Sequence, residues 1–118
     1  MSYKLSVSNQ VLVNVAFSVS DCGKFKPQKF ELVCDRVDSA ELMQIVKGDD
    51  DVESRLSRMK AKLLEVVTDW RGQSLVLEDD GKPAAFCVDA LEFMLGIHGV
   101  TVLIFNAFAE QVGAKAKN

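Results

Sequence analysis

One histidine and three cysteines are all that this 118-residue chain offers to a transition metal or to nucleophilic catalysis. His98 stands alone, and Cys22, Cys34 and Cys87 show no Cys-x-x-Cys spacing, so local sequence assembles no zinc site. An odd number of thiols gives no disulfide framework either, and reduced thiols in a cytoplasmic protein are the plain reading. A nucleophile needs a base and a group that orients the base. Cys87 and His98 are the nearest approach to such a pair, but a lone cysteine before a capped helix is ordinarily a small buried hydrophobe. The phosphate-cradling patterns GxxxxGK[ST] and GxGxxG are both missing. The carboxylate clusters at residues 49–51 and 78–80 lack the alternating ligands and distant glutamate of a calcium loop. No catalytic, cofactor-binding or metal-ligating residue is therefore expected.

Long apolar runs are also missing. The richest, residues 99–109, covers about 11 positions, against the ~18–20 that a spanning helix needs. The first residues show no apolar stretch of the signal-peptide kind, so the chain is expected to stay where it is made. With 14 basic and 17 acidic residues the net charge is −3, the wrong sign for a general phosphate-backbone binder. Neither membrane nor nucleic acid is an expected partner.

What is present is the composition of a folded domain: 48% hydrophobic and 26% charged, with enough length for a single core over residues 1–118 and not for two. Leu5, Val7, Val11, Val13, Val15, Phe17 and Val19 fall on odd positions with polar residues between them, and this period of two predicts a strand with one buried face. Asp21, Cys22, Gly23 and Lys24 supply turn chemistry, and Phe30, Leu32 and Cys34 repeat the alternation. A β-hairpin over about residues 9–20 and 28–37 follows, with Pro27 confined to a strand start or to an open edge.

From Asp38 the period lengthens. Asp38 and Glu41 have capping-box spacing before a short helix that runs towards Gly48. The acidic residues 49–51 suit the positive end of the next helix. Val52, Leu56, Met59, Leu63, Val66, Val67 and Trp70 step by threes and fours, predicting a long amphipathic helix over about residues 51–70 that ends before Gly72. A loop with a turn at Asp79, Asp80 and Gly81 comes next. A second capping box, Asp89 to Glu92, opens a short helix through Leu95, and Gly96 and Gly99 bracket a break containing His98. Thr101 is read as the cap of a last helix, residues 102–112, closed by Gly113. The expected architecture is α+β: an N-terminal antiparallel hairpin packed against about four helices.

The last helix is apolar around most of its circumference. Leu103, Ile104, Ala107 and Phe108 are expected inside. Phe105, Ala109 and Val112 are the candidate partner-binding residues, because a short-helixed domain has difficulty covering every side of such a helix. Trp70, Leu63, Phe86 and Phe108 are the expected structural core.

A set of features in a fixed order then carries a resemblance. An N-terminal hairpin and an amphipathic helix ending in Asp69, Trp70, Arg71 and Gly72 precede the acidic turn Glu78, Asp79, Asp80, Gly81, Lys82 and Pro83. Phe86 and a capped short helix follow, and then a final apolar helix with Phe105, Asn106, Ala107, Phe108, Ala109 and Glu110 before the Lys117-Asn118 terminus. In this the chain resembles the tail assembly chaperones of long-tailed bacteriophages, well over residues 65–118 and as a pattern in the hairpin. That family often has tyrosine where Phe108 stands. The resemblance implies a non-enzymatic assembly factor of the host cytoplasm that needs no cofactor. It would bind the tape measure protein, help tail tube protein assemble around it and be absent from the finished particle. Self-association, or capture of an apolar helical client, is expected from the last helix itself, centred on Phe105, Ala109 and Val112. Many members exist in a second, frameshifted form, of which this chain would be the shorter counterpart. The rival expectation is a prophage or bacterial regulatory protein that acts as a homo-oligomer.

Overall fold

The computed structural model describes residues 2–46, 51–114 and 116. Two strands, β1 (Gln10–Asp21) and β2 (Lys24–Asp35), form the expected hairpin. Its turn is Cys22 and Gly23, both with positive φ (49° and 82°), the pairing that matches the twist of the flanking strands. Asp21 faces Lys24, and the register runs without interruption to Gln10 opposite Asp35. Val13 and Val15 on β1, with Phe30, Leu32 and Cys34 on β2, point into the core. Phe17 and Phe30 meet edge to face at 5.9 Å.

Helix α1 (Ser39–Val46) begins where the capping box placed it: the Asp38 carboxylate accepts from the Glu41 N–H at 2.9 Å. Helix α2 (Val52–Val66) is capped by Asp51, which accepts from the Ser54 N–H at 2.8 Å. The rest of the acidic run and Gly48 lie outside the described residues. The long helix stops earlier than its apolar spacing predicts. Residues Val67–Arg71 form a third strand, β3, antiparallel to β2, so the sheet order is β1-β2-β3. Val66, Val67 and Trp70 fit a helical stripe and a strand about equally well. The β-branched Val67 and Thr68 favour the strand, and the open edge of β2 decides it by offering a ladder. Trp70 thus lies opposite Leu32 in the sheet and is 7% exposed.

Pro27 sits where proline costs nothing. With Asp21 and Lys24 closing the turn, odd residues of β1 exchange hydrogen bonds with β2, as the Arg36 N–H to Asn9 carbonyl bond confirms beyond the strand end. Pro27 pairs with Ser18 at a non-bonded site, and β3 reaches β2 only from Glu31 onwards. Its missing N–H therefore faces neither neighbour.

Two short helices complete the fold, α3 (Val88–Leu95) and α4 (Val100–Gln111). Their caps differ from the expected ones. Cys87, not Asp89, caps α3, its Sγ accepting from the Ala90 N–H at 3.4 Å. Gly99, with φ 87°, starts α4, and no side chain caps it. Thr101 lies two positions past the cap, too deep for that role, and is buried. Its hydroxyl donates to the Leu95 carbonyl at 3.1 Å and so ties α4 to the end of α3.

Candidate functional site

Helix α4 packs against β1 and α2, and the side it turns inward only partly matches the expected one: Ile104 and Phe108 are buried as expected, but the inward arc extends to Phe105 and Val112 instead of Leu103. Val100, Ile104, Phe105, Phe108 and Val112 are all at most 2% exposed. They lie within one arc of the helix, while Leu103, Asn106 and Glu110 lie opposite and face outward. Phe105 and Val112, candidates for a partner surface, are core residues, and Ala109 is half-buried. Leu103, expected inside, is 47% exposed. Circumferential hydrophobicity could not resolve this, because the direction of the core is fixed by what stacks on the helix. Of the expected core, Leu63, Trp70 and Phe108 are buried, and Phe86 is half-buried with its ring 5.4 Å from Trp70, edge to face.

The open apolar surface lies elsewhere, in a cleft of about 440 Å³ between the first half of α2 and the turn joining α3 to α4. Val52 and Leu56 form one wall, and Ile97 and Val102 the other, with Leu95 beneath. Its polar rim is sparse: Glu53, Ser57, Lys60 and His98. Lys60 pairs with Glu92 of α3 at 3.4 Å, an exposed ion pair between the two helices beside the cleft. Val52 is 69% exposed, and Phe93, next to Glu92, is 71% exposed. The cleft offers shape and apolar area with a few charges to orient a ligand, the composition of a surface that receives an apolar side chain or helix.

In a second depression, lined by Trp70, Gln73, Pro83 and Phe86 among others, the polar groups of Gln73 and Trp70 are already spent on the protein itself. Gln73, only 4% exposed, makes four hydrogen bonds: its amide donates to the carbonyls of Val76 and Ala84, and its oxygen accepts from the N–H groups of Leu75 and Val76. The Trp70 indole donates to the same Ala84 carbonyl at 3.1 Å. A glutamine in a loop reads as a solvent residue, so nothing in the sequence marked it.

The thiols are far apart in character. Cys87 is engaged as a cap at the start of α3, and His98 lies beyond that helix's other end. Eight residues of helix separate them by about 12 Å along its axis. Burial pushes the Cys34 thiol from 9.0 up to about 12, with Asp35 adding to the shift. Its protonated form is what the core tolerates. Stability from this group is complete below the unfolded thiol's pKa and is lost as pH climbs from about 9 towards 12. Iodoacetamide at neutral pH should therefore label Cys22 and Cys87, both exposed, and leave Cys34 untouched until the protein unfolds. Intact-mass measurement before and after denaturation reads the difference directly.

Among the described residues no group of three or more His, Cys, Asp or Glu side chains is placed to hold a metal ion. No single described helix is long and apolar enough to cross a membrane. Helices α3 and α4 would do so only as a pair, and they meet at a bend of 112°. Searches for a matching family model, a similar curated protein and a similar solved structure each return no match.

Proposed function

We propose that this chain is a non-enzymatic tail assembly chaperone, acting in the host cytoplasm on the tape measure protein of a long-tailed phage and promoting tail tube assembly around it. The observation that carries this reading is the apolar cleft between α2 and the α3–α4 turn, a receptor for the apolar face of a helix. A tape measure protein is a long helical client, and many weak sites side by side shield such a chain better than one strong site. The resemblance adds support because its residues form one unit. Trp70 meets Phe86 edge to face, and the acidic turn is closed by the Gly81 N–H to Glu78 carbonyl bond at 2.8 Å and by the Leu77–Pro83 bridge. That unit fixes the position of the segment entering α3, the helix whose other end leads into the cleft. The rival reading, a homo-oligomeric regulatory protein, needs no client at all.

Co-expression with a tape measure protein tests the proposal. Wild-type chain should keep the client in the soluble fraction. Val52→Glu, at a largely exposed position, should weaken capture roughly tenfold or more while leaving the melting temperature within a few degrees. Undiminished capture by Val52→Glu would remove the cleft from the mechanism, and a client that stays insoluble with wild type would remove the chaperone reading.

A further inference from the structure

In the sheet β1-β2-β3, the long edge formed by β1 is half open. Along β1, even-numbered residues turn their N–H and C=O groups away from β2. Near the strand's start, Gln10 and Asn14 have partners for these groups. Ser8 Oγ accepts from the Gln10 N–H at 3.1 Å. The Gln111 side chain reproduces a neighbouring strand at Asn14: its oxygen accepts from the Asn14 N–H and its amide donates to the Asn14 carbonyl, both at 2.8 Å. Beyond Asn14, no described residue meets the outward groups of Ala16, Ser18 and Ser20. The usual protections of an edge are charge, proline or a bulge. The opposite free stretch of the hairpin has Lys24, Lys26, Pro27 and Lys29, whereas residues 10–20 of β1 carry no charge and no proline.

We propose that residues 16–20 of β1 pair antiparallel with the same residues of a second copy, about a two-fold axis at Ser18, joining two three-stranded sheets into one of six strands. The register follows from what is blocked. Gln111 closes the edge at Asn14 and the turn begins at Cys22, so the open outward positions are Ala16, Ser18 and Ser20, and their centre is Ser18. Centring on Ala16 would drive the partner's strand into Gln111; centring on Ser20 would place Ser18 opposite the partner's turn. With the axis at Ser18, Ala16 faces the partner's Ser20, all small residues on the exposed face. On the other face the half-buried Phe17 meets the partner's Val19, an aromatic–β-branched pair of the kind that stabilises a sheet. No like charges are opposed. The nearest charge, Asp21, is already held by Lys26 at 2.7 Å. The segment is thus self-complementary, small residues against small residues and Phe17 against Val19, and that identifies the occupant as a second copy rather than a client strand.

This surface owes nothing to the cleft, so the two proposals fail separately. Sedimentation velocity of the full chain should show a concentration-dependent dimer, unchanged by Val52→Glu. Ser18→Lys places two like charges opposite each other on a solvent-exposed face and should weaken the dimer roughly tenfold or more with an unaltered circular dichroism spectrum. Ser18→Glu should do the same. Mixing the two variants should restore association, since the axis sets the introduced ammonium of one copy against the introduced carboxylate of the other. Wild type that sediments as a monomer throughout, single variants that associate like wild type, or a mixture that associates no better than its components would each overturn the proposal.

Discussion

Phe105→Glu should leave no folded protein, whereas Leu103→Glu, two positions earlier in the same helix, should leave stability within about 0.5 kcal/mol of wild type. The Phe105 side chain is fully buried against Phe108, with ring centroids 6.2 Å apart, while Leu103 is 47% exposed. A glutamate at Phe105 loses the transfer and packing of an aromatic ring, about 3–5 kcal/mol by analogy with truncation. It also places a carboxylate where nothing can pair with it, a further cost of several kcal/mol unless the group takes up a proton. Together these match or exceed the total stability of a domain this size. Val112→Glu, at 1% exposure, should behave like Phe105→Glu. Circular dichroism and thermal melts of the three variants measure the contrast. A folded Phe105→Glu would mean that α4 packs with a different face inward.

That contrast also marks where the sequence stops being legible. The hairpin could be read because a period of two is tied to one sheet face and Gly23 declares its turn. The cap at Asp38 was legible because a carboxylate at that spacing satisfies an orphan N–H group locally, whereas the acidic run before α2 announced a helix start without singling out Asp51 as the cap. The face of α4 was not, because a helix apolar all round carries no local record of which neighbour covers it. The third strand was hidden for a similar reason. Val66, Val67 and Trp70 suit two periods, and only the unpaired edge of β2, more than 30 positions earlier, chooses between them. The contact that closes the β1 edge links Asn14 to a side chain 97 residues away. No window of sequence contains both. The cleft lay out of reach as well, since its walls come from the start of α2 and from a Gly-bracketed turn more than 40 residues later.

Trp70→Ala should cost about 3–5 kcal/mol, and Trp70→Phe about 1–2 kcal/mol. The first change removes a 7%-exposed indole from the strand that closes the sheet and takes away the edge-to-face contact with Phe86 at 5.4 Å. The second keeps most of the ring packing and loses the indole N–H bond to the Ala84 carbonyl. That carbonyl also accepts from Gln73, so it is not left unpaired, and the smaller figure follows. Gln73 is the other half of the same anchor. Gln73→Leu preserves volume but strands the Leu75 and Val76 N–H groups, and each buried orphan costs about 1–3 kcal/mol. Because Trp70 and Gln73 share Ala84, their effects should be non-additive: the double variant Trp70→Phe, Gln73→Leu exposes a carbonyl that neither single change leaves bare. Denaturant titration of the four proteins gives the coupling energy. The two residues together hold the strand β3 to the loop that leads into α3. A coupling near zero would mean that they act on the core independently, and the loop would then have to be positioned by the Leu77–Pro83 bridge alone.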